Sequence, residues 1–195
     1  PRWRWNTFFR NAARGAQVEA PDVVLFVDTF TNHFEPENAH AALAVLRAAG
    51  LRVDVARPRL HAPSPRPLCC GRTYLAYGKV DEARAEAVRM IEALSPHAAR
   101  GAAIVGLEPS CLLSLRDEFL ALGLGDAARR VAERAFLIEE FLVREHAAGR
   151  VALPLRPVAE SRALVHAHCH QKAFDAAADV ATALRWIPQL VVTPV

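Results

Sequence analysis

The sequence predicts a three-layer α/β unit with a parallel sheet between helices, followed by the start of a second, similar unit. Short apolar, β-branched runs alternate with amphipathic stretches, as in folds whose strands are joined by helical crossovers. Two of these runs, 23–27 and 102–107, are apolar throughout, which is typical of strands covered on both faces. The order of elements begins again near residue 163. We therefore expect a Rossmann-like architecture.

The first half of the unit has a β-α-β pattern. The strand 23–27 leads through a loop, 28–32, into a helix over 35–49, which Gly50 ends. Residues 51–55 then alternate between apolar and polar side chains like a half-buried strand. Two parallel strands joined in this way are expected to cross over in the right-handed sense.

The second half of the unit follows a proline-rich loop over 57–67. A strongly amphipathic helix is predicted over 79–94, before the second apolar strand. Pro109 suits the first turn of a helix, and helical patterns continue over 112–122 and 127–146.

Domain boundaries follow from these elements. We expect an N-terminal lead-in over 1–20, a first domain over 21–150 and the truncated start of a second domain over 163–195. The last segment again shows a strand, a helix and a strand, over 163–166, 171–185 and 190–193. Because this second unit is incomplete, we expect the chain to be a segment of a longer protein.

Composition argues against several classes of protein. The 195 residues carry 24 lysines and arginines against 21 aspartates and glutamates, and the net charge of +3 is too small to indicate nucleic-acid binding. No apolar run reaches about 18 residues, so no transmembrane segment is predicted. The basic lead-in lacks the apolar core of a secretory signal. We expect a cytoplasmic protein, with peripheral attachment to the inner face of the membrane as an alternative.

Three loops carry the residues best suited to chemistry. Asp28 and Glu108 directly follow predicted strands, and Cys69 and Cys70 follow the proline-rich loop. Cys111 lies near a predicted helix N-terminus, which would lower the pKa of its thiol. Because the carboxyl ends of parallel strands share one edge of a sheet, we expect these groups to meet there. The alternative is that the thiols are buried apolar residues and the carboxylates cap helices.

A second group of candidate ligands follows the strand predicted near residue 163. His166, His168 and His170 alternate, so they would share one face of a strand, with Cys169 on the other. This density of imidazoles and thiol indicates metal binding or proton transfer near neutral pH. The alternative is a polar strand end held by hydrogen bonds. No glycine-rich dinucleotide or phosphate-loop motif is present, so a dinucleotide or nucleotide-hydrolysis site has no support.

In these motifs the sequence resembles the cysteine-rich CCG domain family, found in the heterodisulfide reductase B subunit and in iron-sulfur proteins of glycolate and lactate oxidases. It is most similar to the carboxy-terminal iron-sulfur region of FAD-linked oxidases, in which that region is fused to a flavin dehydrogenase. The resemblance covers most of residues 20–195. The runs that carry it are VVLFVDTFTNHFEPEN, RPLCCGRTYLAYGKVDEARA, VGLEPSCLLSLRDEF and VHAHCHQKAF.

The resemblance implies a ligand set. In the family, a CCG motif has a leading cysteine, the Cys-Cys-Gly and a closing Cys-x-x-Cys, and a complete motif in the heterodisulfide reductase relatives holds a [4Fe-4S] cluster. Another relative holds zinc. Cys69 and Cys70 match the pair, and Cys111 matches the last closing cysteine. Asp28 stands in place of the leading cysteine and Glu108 in place of the first closing cysteine.

The departures from the family pattern change the expected cofactor. Carboxylate ligands favour a single zinc or iron ion over an all-thiolate iron-sulfur cluster, so we expect a degenerate cluster site or a mononuclear site. Cys169 matches the leading cysteine of a second copy of the motif. We expect His168, Cys169 and His170 to be further candidate metal ligands.

The function implied by the resemblance is electron transfer, through iron-sulfur or metal centres, in an FAD-dependent oxidoreductase acting on a D-2-hydroxy acid such as lactate or glycolate. FAD would be bound by a flavin dehydrogenase partner or domain outside this chain, with a quinone as acceptor. Two alternatives stay open: a non-catalytic zinc-binding structural module, and a thiol-disulfide site at Cys69 and Cys70. We expect the isolated segment to be inactive toward the hydroxy acid.

Overall fold

A parallel sheet forms the centre of the first unit. The computed structural model describes residues 2–12, 18–59 and 65–195, so parts of the lead-in and of the proline-rich loop lie outside the described residues. The strands are β1 (Val23–Phe26), β2 (Val53–Val55), β3 (Ala103–Gly106) and β4 (Ala135–Leu137). They lie in the order β2-β1-β3-β4, and every pairing between them is parallel. The predicted α/β fold is confirmed.

Helices flank the sheet. In chain order the described helices are α1 (Phe8–Ala12), α2 (Thr29–Phe34), α3 (Pro36–Ala48), α4 (Arg72–Ala76), α5 (Val80–Ala99), α6 (Pro109–Leu113), α7 (Glu118–Ala121), α8 (Gly125–Glu133), α9 (Ile138–Ala147), α10 (Cys169–Ala173) and α11 (Ala177–Leu184). None of these helices is long and apolar enough to cross a membrane.

Two apolar cores lie on opposite faces of the sheet. On one face Val24 and Phe26 pack with residues of α5, α6, α7 and α8. On the other face Val23 and Leu25 pack with residues of α1, α3 and α9. This alternation along β1 follows from the two-residue period of a strand, and it gives the three layers. Phe8 of the lead-in is fully buried in the second core.

A second, separate sheet lies near the C-terminal end of the chain. Its strands, β5 (Arg162–Val165) and β6 (Val191–Pro194), pair in parallel. Helix α11, between them in sequence, packs against α9 of the first unit. The ring centroids of His146 and Trp186 are 4.5 Å apart. The predicted boundaries at 1–20, 21–150 and 163–195 stay predictions.

The prediction of a single helix over 127–146 is wrong. The structure inserts β4 between α8 and α9 and pairs it with β3, placing Ala135 beside Ile104 and Leu137 beside Gly106. Ala135 and Leu137 are each 1% exposed. Pairing with a buried strand therefore outweighs the helical periodicity of this segment.

Three other segments also differ from expectation. The predicted loop 28–32 contains the start of α2, because Asp28 caps that helix. The helix expected over 112–122 is broken into α6 and α7, and the turn between them brings Phe119 into the core. The helix expected over 171–185 is divided into α10 and α11, with Asp175 in the left-handed region at φ 56°.

Glu145 lies near the end of α9, and its ion pairs allow a test of how this end of the helix is stabilised. Its carboxylate forms ion pairs with Arg144 and Arg150 at 2.7 and 2.5 Å. The hydrogen bond from Arg150, assisted by that from Arg144 and opposed by burial, lowers the pKa of Glu145 to about 2. A lowered pKa stabilises the folded state above the unfolded pKa, and this contribution is lost as the pH falls toward 2.

We expect Glu145→Gln to lower the free energy of unfolding by about 1 kcal/mol at pH 7, since the exposed arginines are screened by solvent. In urea titrations the difference from the native chain should shrink between about pH 4.5 and pH 2. Asp126→Asn is the control, because Asp126 is exposed in its pair with Arg129. A difference for Glu145→Gln that does not change with pH would contradict this account.

Candidate metal centre

Three thiols meet at the carboxyl edge of the sheet. Cys69 and Cys70 lie in the loop before α4, and Cys111 lies in α6, just after β3. The Sγ atoms of Cys70 and Cys111 are 3.2 Å apart, and the thiols of Cys69 and Cys70 are hydrogen-bonded. All three cysteines are free, and Cys70 and Cys111 are only 4% and 5% exposed. The structure thus brings together the thiols that the topology predicts to converge.

Two glycines let the backbone approach closely enough for this arrangement. Gly71 turns the cysteine loop at φ +74°, and a Cβ there would lie 3.0 Å from the carbonyl oxygen of Ala83 in α5. At the end of β3, a Cβ on Gly106 would lie 2.8 Å from Cδ1 of Leu112. Because Leu112 follows Cys111 in α6, the absence of a side chain at Gly106 lets this helix pack against the strand end.

Both candidate carboxylates cap helices. Asp28 Oδ1 accepts hydrogen bonds from the amides of Phe30 and Thr31 at 2.8 and 3.0 Å, and Oδ2 accepts one from the Thr31 hydroxyl at 2.5 Å. Glu108 Oε2 accepts a hydrogen bond from the amide of Cys111 at 2.6 Å. Their role as caps is therefore observed, and their role as metal ligands stays a prediction.

Burial shifts the ionisation of the acid and of the thiols. Burial raises the pKa of Asp28, and the nearby Glu108 charge adds to this, although hydrogen bonds from Thr31 oppose it. Hydrogen bonding to the neighbouring thiol, then burial, raises the pKa of Cys69. The hydrogen bond with Cys111 is the largest contribution that raises the pKa of Cys70.

The expectation that a helix N-terminus lowers the pKa of Cys111 is wrong. The hydrogen bond with Cys70 does lower it, but burial and the carboxylates of Asp28 and Glu108 together raise the pKa above its ordinary value. In addition, α6 has only five residues, so the positive end of its dipole is weak.

The thiols line a cavity of about 370 Å³ at this edge. Glu108 lines it as well, whereas Asp28 does not. Five other residues line the cavity, and no motif in the sequence marks them, although each lies within three positions of a candidate ligand: Thr29, Phe30, Arg72, Thr73 and Ser110. Two thiolates on a tetrahedral zinc or iron ion lie about 3.8 Å apart, so Cys70 and Cys111 need to separate by only about 0.6 Å to bind one.

The second candidate group has a different geometry from the expected one. β5 ends at Val165, and Cys169 begins α10. The prediction that His166, His168 and His170 alternate along one face of a strand is therefore wrong. The helix forms because His168 caps it, with Nδ1 accepting from the amide of His170 at 3.2 Å. The ligand atoms of His168, Cys169 and His170 all lie within 4.8 Å of one another.

This second group is connected to the first. His170 Nδ1 lies 3.0 Å from Oγ of Ser110, which lines the thiol cavity. His166, His168 and Cys169 line a cavity of about 590 Å³ on the same part of the molecule. Cys169 itself is exposed, so it is open to ligands from elsewhere.

Comparison with curated proteins identifies relatives of the chain. It is 25% identical over 197 residues to the C subunit of an anaerobic glycerol-3-phosphate dehydrogenase, both from Escherichia coli strain K12 and from Escherichia coli O157:H7. The match covers 99% of this chain but 47% of each relative, so the chain spans about half their length. No family model matches the chain, and no solved structure matches it significantly.

The turn at Gly71 gives a test of how the cysteine loop is positioned. Gly78 has nearly the same φ, +71° against +74°, but a Cβ there would meet nothing within 4 Å. Both Gly71→Ala and Gly78→Ala therefore carry the left-handed backbone strain, about 1 kcal/mol, and only the first adds a steric conflict with α5.

We expect Gly71→Ala to lower the free energy of unfolding by about 2 kcal/mol more than Gly78→Ala does, measured by urea unfolding. Equal losses in the two variants would show that close approach to α5 does not position the cysteine loop.

Proposed function

We propose that this chain is the electron-transfer region of a flavin-dependent dehydrogenase and holds an iron-sulfur or iron centre at Cys69, Cys70 and Cys111. The observation that carries the proposal is the meeting of three soft sulfur donors around one cavity at the sheet edge. Thiolates favour iron-sulfur clusters and zinc over hard cations. The similarity to part of a dehydrogenase along 99% of the chain supports an oxidoreductase role.

The donor set fits a centre with three thiolate ligands. Glu108 is the candidate for a fourth ligand, because its carboxylate lines the cavity and Asp28 does not. In that role the Glu108 carboxylate would give up or share its hydrogen bond to the Cys111 amide. We therefore favour a single iron ion, or a [4Fe-4S] cluster with one corner not bound by cysteine, over a complete four-cysteine cluster.

Hydrogen bonds from neighbouring groups partly offset the raised pKa of the thiols. The Thr29 side chain and the Gly71 amide hydrogen-bond to Cys69, and the Arg72 amide hydrogen-bonds to Cys70. Each of these contacts favours the thiolate, while burial of Cys70 and Cys111 excludes water. When bound, an iron-sulfur or iron centre carries single electrons, and these hydrogen bonds and this burial set its potential.

The organic substrate reacts elsewhere in this proposal. FAD, held by a partner domain or a separate flavoprotein, would supply the two-electron chemistry that oxidises a D-2-hydroxy acid of the lactate or glycolate type to a 2-keto acid, and a quinone would be the final acceptor. The relatives are named for another hydroxy compound, glycerol 3-phosphate. Dye reduction by the complete protein with D-lactate, glycolate and glycerol 3-phosphate separates these substrates.

A zinc-binding structural module is the second candidate. It is favoured by the 3.2 Å distance between the Cys70 and Cys111 sulfur atoms, which is close to the spacing around one tetrahedral ion. A thiol-disulfide site at Cys69 and Cys70 is less favoured, because the pKa of both thiols is raised and a thiolate is the reactive form.

We expect anaerobically purified protein to contain iron, with a visible absorption band that dithionite changes. Cys70→Ser should lower the iron bound at this centre at least fivefold, because it removes the central thiol of the group. Thr73→Ala is the matched control: Thr73 lines the same cavity but offers no thiolate, so its variant should keep the iron.

Metal analysis of both variants decides between the candidates. Stoichiometric zinc without iron in a colourless protein would favour the structural module over electron transfer. If neither iron nor zinc binds during anaerobic reconstitution, or if Cys70→Ser leaves the metal content unchanged, the proposed centre is wrong.

A further inference from the structure

A basic cleft lies at the other end of the sheet, near the amino ends of β3 and β4. We define it by five arginines: Arg52, Arg100, Arg134, Arg144 and Arg150. They surround a cavity of about 640 Å³ that also includes two carboxylates, Asp22 and Glu145. Five guanidinium groups against two carboxylates leave an excess of three positive charges in one concave surface.

Three of the arginines are held in place by the two carboxylates. Arg52 donates from Nε and Nη2 to Asp22, and Arg150 donates from Nε and Nη2 to Glu145. Arg144 donates to Glu145 from Nε, and its guanidinium lies 3.8 Å from the ring centroid of Phe136. Held in this way, these side chains lose little further freedom when a ligand binds.

The other two arginines have no carboxylate partner in the described ranges. Neither Arg100 nor Arg134 forms an ion pair there, although Arg134 Nε lies 3.5 Å from the carbonyl oxygen of Ala102. The Arg134 guanidinium also lies over Gly101, where a Cβ would come within 3.5 Å of it. Two unneutralised guanidinium groups therefore face a cavity already surrounded by positive charge.

Helix dipoles explain part of this pattern. Arg100 and Arg134 are the C-caps of α5 and α8, and Arg144 lies in the last turn of α9, where cations are favoured. That effect acts at each helix end separately. Helix dipoles therefore do not explain why the arginines share one cavity. Nor do they explain why Arg52 and Arg150, which lie outside helices, line the same cavity.

We propose that the basic cleft binds a small molecule carrying a phosphate or diphosphate group. Guanidinium groups match phosphate oxygens in pairs of parallel hydrogen bonds, and several fixed around one cavity favour a multiply charged anion over a single carboxylate. The cavity is large enough for a diphosphate with an attached organic group. This site does not depend on the metal centre, which lies at the opposite edge of the sheet.

The test is isothermal titration calorimetry of the chain with inorganic pyrophosphate, ADP and citrate at constant ionic strength. We expect saturable 1:1 binding of pyrophosphate and ADP, at least tenfold tighter than that of citrate. Tighter binding of ADP than of pyrophosphate would identify the ligand as an organic diphosphate. Equal binding would show that recognition is confined to the phosphates.

The variant Arg100→Ala/Arg134→Ala should weaken pyrophosphate binding at least tenfold, because it removes the two unpaired guanidinium groups and leaves both carboxylate pairs intact. The control, Arg129→Ala/Arg130→Ala, removes the same charge from α8 outside the cleft and should change the Kd less than twofold. Thermal unfolding without ligand checks that each variant is folded. Absence of saturable binding, equal affinity for citrate, or equal loss in both folded variants would overturn the proposal.

Discussion

The close packing of α6 against the end of β3 is the contact on which the thiol cavity depends. Gly106 has no side chain, so Leu112 fits directly over the strand end, and Cys111 is carried to within 3.2 Å of the Cys70 sulfur. The parallel pairing of β1 with β3 then places Asp28 and Glu108 at the same edge. Packing of apolar groups, rather than attraction between the thiols, therefore determines where the sulfur atoms lie.

The carboxylates at this edge act on the thiols through the helices that they cap. Glu108 holds the amide of Cys111, and Asp28 starts α2, from which Thr29 reaches Cys69. Negative charge and burial together raise the pKa of Cys111, so they disfavour a free thiolate there. A bound cation would reverse that balance by supplying the positive charge that the protein itself does not provide.

The sequence predicts this edge of the molecule better than the rest. The apolar runs of β1 and β3 and Pro109 at the start of α6 are local signals, and the parallel topology then brings the loops of Cys70 and Cys111 to one edge of the sheet. Tertiary pairing is not a local signal, so the pattern around β4 predicts a helix instead. The cap formed by His168 escapes prediction because imidazole is an unusual cap. The basic cleft could not be predicted, since its arginines are far apart in sequence.

Anomalous diffraction at the iron and zinc absorption edges, on anaerobically grown crystals, tests the central claim most directly. The account predicts iron peaks about 2.3 Å from each of the sulfur atoms of Cys69, Cys70 and Cys111. An iron peak only at His168, Cys169 and His170, a peak at the zinc edge without one at the iron edge, or no peak beside the three thiols at either edge, would contradict it.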